Sequence, residues 1–161
     1  MTAWRQAVHA LHSALTVKSQ ESGSDICAPL LNELLPERLE AFGSDGLEMF
    51  LNVLNGAKSA EDSAEFIGAE LPGAVDGFDI VWHARVELIV GGLDQPTRQA
   101  AFDLALDAID AVLALDRTLG GKVTHARILQ PDMTDHAAAG MDNIDGADIT
   151  VELQFTSSKP Y

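Results

Sequence analysis

Apolar residues recur along this chain with two different periods, and the changes of period mark its elements. Over residues 2–17, Trp4, Val8, Leu11 and Leu15 fall at helical spacing with Ala7 and Ala14 beside them, which predicts a first helix. Residues 18–25 are polar and read as a loop. Residues 26–35 leave two readings open. Pro29 fits a first helical turn with Leu30, Leu31, Leu34 and Leu35 behind it, or the segment is a packed irregular linker. Pro36 bars a helix from running on smoothly. Residues 47–53 alternate. Leu47, Met49, Leu51 and Val53 share one face, Glu48 and Asn52 the other, and Phe50 on that second face implies partial cover there. Asn55-Gly56 signals a turn. Residues 57–77 read as a polar loop with a short helix near 60–67.

Residues 78–90 carry the strongest strand pattern, with Ile80, Trp82, Ala84, Val86, Leu88 and Val90 opposite His83, Arg85 and Glu87. Gly91-Gly92 ends it. Residues 95–115 carry the strongest helix pattern. Asp94 is placed to cap it, Pro96 fits its first turn, and Phe102, Leu106, Ile109 and Leu113 form a stripe widened by Ala101, Ala105, Ala108 and Val112. Gly120-Gly121 breaks the pattern. Residues 122–130 resemble a strand, 131–146 a polar acidic loop, and 147–156 alternate cleanly through Ile149, Val151, Leu153 and Phe155. The expected fold is a single α+β domain over 1–161, with a mainly antiparallel or mixed sheet packed by helices. The expected order is helix-strand-strand-helix-strand-strand, with polar loops near 56–77 and 131–146.

Length and composition narrow this picture. A chain of 161 residues, 47% apolar, is long enough to bury a core without disulfides or metal. The single cysteine, Cys27, has no internal partner, which suits a reducing compartment. Arg5, Gln6, His9 and His12 interrupt any leader-like run, and no apolar stretch approaches the ~20 residues that span a bilayer. A soluble, cytoplasmic protein is expected. The formal charge is −15, and it is spread evenly: residues 1–77 hold four basic against twelve acidic residues, and 78–161 six against thirteen. Such a surface favours solubility and disfavours nucleic acid and anionic membrane; the basic footprint of DNA recognition is missing.

Candidate chemistry is sparse. His9 and His12 lie three apart on the first helix without a third ligand nearby. His83 and His125 can approach across a sheet, while His136 stands apart in sequence. Asp103, Asp107 and Asp110 share a helical face but lack an oxygen-rich loop to complete a cation site. Asp132, Asp135, Asp142, Asp145 and Asp148 form a loose acidic cluster whose spacing does not match a calcium loop; it reads as a solvated loop or an acidic rim facing a partner or channel. Cys27 reads as a small core residue. Neither glycine pair forms a phosphate loop. No catalytic, cofactor-binding or metal-binding residue is assigned.

The run 100–121, AAFDLALDAIDAVLALDRTLGG, resembles a segment of the tail terminator proteins of long-tailed bacteriophages. There a long strand and an Ala-rich helix precede a D-x-T-L-G-G turn, here Asp116, Thr118, Leu119, Gly120 and Gly121. The upstream FDIVWHARVELIV and the final ADITVELQFTSSKP fit the same order, and Leu35-Pro36-Glu37-Arg38 is a weaker match. The resemblance covers residues 78–157 best, and 56–77 depart from it in length and acidity. It implies a subunit of a homohexameric ring at the head-proximal end of the virion tail, assembled in the host cytoplasm. Such a ring stops tail tube polymerisation, offers a surface to a head completion or connector protein, and passes DNA through its lumen without sequence-specific binding. It implies no cofactor, no membrane contact and no enzymatic activity. The competing readings are a head–tail connector or completion protein, a small enzyme using a histidine and acidic residues, and a small regulatory domain unrelated to phage.

Overall fold

The computed structural model describes residues 1–35, 39–59, 65–67, 77–134 and 142–159. Among the described residues two helices, α1 (Ala3–Ser19) and α2 (Gln95–Leu115), pack on one face of a seven-stranded sheet. The strands are β1 (Leu30–Leu31), β2 (Glu48–Lys58), β3 (Glu65–Ile67), β4 (Gly77–Gly91), β5 (His125–Ile128), β6 (Asp132–Thr134) and β7 (Ile144–Ser157). The order across the sheet is β1-β2-β4-β7-β5. β3 extends the β2 side of β4, and β6 pairs with β7 beyond β5. β1 runs parallel to β2 and every other pairing is antiparallel. This is a single α+β domain with a mixed sheet.

The long alternating segments become the two central strands. β4 and β7 pair without a break from Phe78↔Ser157 to Gly91↔Ile144. The register puts Ala84 opposite Val151 and Val86 opposite Ile149, so the apolar parity of both strands faces the helices. Leu51 and Val53 of β2 join them, as do Val8, Leu11 and Leu15 of α1 and Phe102, Ile109 and Leu113 of α2. Asp94 caps α2 by accepting from the Thr97 amide, with proline in the first turn as its sequence requires.

Of the two readings open for residues 26–35, the irregular linker is the one observed, and it adds β1 to the sheet edge. Three expectations are corrected. The polar loop near 56–77 starts too early, because β2 passes through Asn55-Gly56 to Lys58 with a bulge between Leu54 and Ala57. Asn-Gly supplies positive φ to a bulge as readily as to a turn, and Gly56 has φ 65°. The expected short helix near 60–67 is not seen at its described end, where Glu65–Ile67 is β3; residues 60–64 lie outside the described set. The polar loop near 131–146 likewise loses both ends, to β6 and to the first residues of β7, and 135–141 lie outside the described set.

Candidate interaction surface

The side of the sheet away from the helices carries polar side chains paired across the strands. One end of it is covered. Leu39 and Phe42 pack on Phe50, Ile89 and Ile144, and Asn143 donates to the Phe42 carbonyl at 2.7 Å. Gly91 is required there, since a Cβ would stand 2.6 Å from the Phe42 ring. This is the partial cover that Phe50 implies in the sequence. The rest of the face carries cross-strand polar pairs that only the strand register reveals.

Glu152 is the centre of that face. It is buried, and its Oε1 accepts from Arg127 Nε at 2.8 Å and Gln154 Nε2 at 3.0 Å. Its Oε2 faces His83 Nε2 at 3.6 Å, the spacing of an ion pair if the ring carries a proton. That nitrogen is shut off from solvent and makes no hydrogen bond. The Arg127 hydrogen bond leads in holding the Glu152 carboxyl below its ordinary range; burial opposes it. Beside this cluster Arg85 pairs with Asp148 at 2.7 Å. Nearer the β1 edge, buried Asn52 is fully engaged: it donates to the Glu33 carbonyl and to Glu87 Oε2, and accepts from the Glu33 amide. A hollow of about 460 Å³ lies between Leu54, Gly56, Ala57, His83, Arg85 and Thr150.

The turn after α2 is built by Asp116. Its Oδ1 accepts from the Thr118 hydroxyl at 2.7 Å and the Thr118 amide at 2.9 Å, and its Oδ2 accepts from the Gly120 amide at 2.7 Å. The Thr118 hydroxyl leads among the hydrogen bonds that hold this carboxyl below its ordinary range. Leu119 adopts φ 48°, rare for a side chain, and is buried in the core; Gly120 and Gly121 follow at 69° and 76°. The D-x-T-L-G-G sequence is therefore one structural device: an aspartate clamp, a leucine plug and two left-handed glycines.

Alongside the turn, Ala14, Val17, Ala111, Val112 and Leu115 line a groove of about 410 Å³ between the ends of the two helices. Val17 and Leu115 are exposed there, the latter 88%.

The remaining sequence candidates scatter. His9 is exposed, while His12 makes a 3.0 Å hydrogen bond with the Pro29 carbonyl. His83 and His125 share the open face, but β7 runs between them, about 10 Å across two strand spacings. His136 and Asp135 lie outside the described residues. Asp103, Asp107 and Asp110 are exposed on α2. Of the acidic cluster at 132–148, Asp132 is in β6, Asp145 and Asp148 are in β7 and paired with Arg98 and Arg85, and Asp142 is exposed in the turn before β7. Cys27 packs beside Met49, and burial pushes its thiol up. Among the described residues no three His, Cys, Asp or Glu side chains converge as metal ligands would, and no helix is long and apolar enough to cross a membrane. Arg98 was legible but missed; it falls on the buried stripe four residues before Phe102.

No family model matches the chain, and no curated protein matches it.

Proposed function

We propose that this chain is a ring-forming assembly subunit that caps the head-proximal end of a phage tail tube. The observation that carries the reading is the Asp116 turn. The segment with the resemblance holds β4, α2, the clamped turn, β5, β6 and β7 in that order, and β4 and β7 are neighbours at the centre of the sheet. The exposed apolar groove at Val17 and Leu115 supports it too, as surface that a protein contact would cover. In this reading function belongs to the assembly. The acidity, −15 per subunit, keeps phosphate from lodging in the passage.

The test is native mass measurement of the purified chain together with its binding to preassembled tail tubes and to head portals. Sixfold rings that bind tubes support the reading. Rings that bind only portals make the chain a connector or completion protein, and a monomer that binds neither overturns both.

A further inference from the structure

Asn55-Gly56 combines the least hindered of backbone nucleophiles with a side-chain amide one residue before it. The chemistry open to such a pair is succinimide formation. The Gly56 nitrogen attacks Asn55 Cγ, a C–N bond forms, and the side-chain nitrogen leaves as ammonia. Water then opens the ring to aspartate or to isoaspartate. Asparagine is a thermolabile residue for this reason.

The fold holds this amide in an unusual way. Asn32 and Asn55 face each other across the β1–β2 edge: Asn32 Nδ2 donates to Asn55 Oδ1 at 3.1 Å, and the main-chain N–H of Asn55 donates to Asn32 Oδ1 at 2.9 Å. Asn32 itself is left-handed, φ 56°, and is tied to β2 by donating to the Val53 carbonyl. The Asn55 carbonyl accepts from Trp82 Nε1 at 2.5 Å. Gly56 cannot be exchanged for a less reactive residue, since a Cβ there would stand 1.8 Å from the His83 carbonyl oxygen. The bulge thus requires the labile step.

We propose that Asn55 is a latent deamidation site, and that the reciprocal amide pair with Asn32 is the clamp that sets its rate in the folded protein. One bond holds the Asn55 side-chain oxygen against Asn32 and the other holds its main-chain N–H there, and attack requires the side chain to leave the first and swing toward the Gly56 nitrogen. The Trp82 indole stacks on Trp4 with ring centroids 4.7 Å apart. Opening to isoaspartate inserts a methylene into the β2 main chain at the bulge, which displaces the Asn55 carbonyl from Trp82 and the indole from that stack.

The experiment incubates the full chain in mildly alkaline buffer and follows by peptide mass mapping the conversion of amide to carboxylate at Asn55. Asn52 and Asn143, followed by valine and isoleucine, are the internal controls. Conversion at Asn55 is expected to be slow in the folded protein, severalfold faster in Asn32→Ala, and faster still in denaturant, with tryptophan fluorescence changing in step. Asn32→Asp, which keeps the acceptor for the Asn55 amide and loses the donor to its side chain, is expected to fall between. A folded wild-type rate equal to that in denaturant overturns the proposal. So does an Asn32→Ala rate equal to wild type in a variant whose circular dichroism shows it folded.

Discussion

Arg98 Nε lies 2.7 Å from Asp145 Oδ2, and the guanidinium Nη1 of the same side chain donates to the Gly92 carbonyl at 2.6 Å. Arg98 is 4% exposed. One buried cation thus ties the first turn of α2 to the end of β4 and the start of β7. Arg98→Met leaves Asp145 without its partner and the Gly92 carbonyl with one acceptor bond fewer. The expected cost is about 1.5–3 kcal/mol, the range for hydrogen bonds to a charged group. Chemical denaturation of Arg98→Met, Asp145→Asn and the double variant checks it, and the double variant is expected to fall short of the sum.

Glu152 links β7 to β5 through Arg127 and faces His83 of β4. Its folded carboxyl titrates below the unfolded one, so its contribution is complete above the ordinary carboxylate range and is lost as pH falls through the folded value. Glu152→Gln is expected to cost roughly 1–2 kcal/mol near neutral pH, discounted because Arg127 is half exposed. The gap from wild type is expected to shrink on acidification. Thermal midpoints of both proteins across the acid range check it.

Asp116 follows the same sign. Asp116→Ala removes the acceptor for Thr118 and Gly120 and is expected to lower the midpoint at neutral pH, with the difference from wild type fading in acid. Gly120→Ala tests the turn separately. The space around Gly120 is open, so only the left-handed backbone opposes a methyl group, and the expected cost is about 1 kcal/mol.

Gly56→Ala is the severe case. Positive φ and the approach of the His83 carbonyl both oppose it, and the bulge must move. A loss of at least about 2 kcal/mol is expected. Hydrogen exchange at Leu54–Lys58 is expected to rise beyond the rise elsewhere in the sheet.

The parts of the fold that repeat were legible. β4, β7 and α2 each run long enough for their period to stand out, and their parities match the buried residues from Ile80 to Val90 and from Ile149 to Phe155. Strands of two or three residues, as β1, β3 and β6 are, have no period to read. They form where a longer strand has an open edge: β1 on β2, β3 on β4 and β6 on β7. The open-face clusters were hidden for a related reason. Glu152 meets His83 and Arg127 only through strand register, and residues 25 and 69 positions away in sequence carry no local sign of each other. Arg98 differs, since its place on the apolar stripe of α2 marked it for burial.

If this chain ends a growing tube, as proposed, the length distribution by electron microscopy of tubes grown from the tail tube protein of the same genome changes with its presence. Tubes are expected to stop growing when the chain is added, each bearing a sixfold ring at one end. Tubes of unchanged, uncontrolled length with no ring at their ends would contradict the proposal.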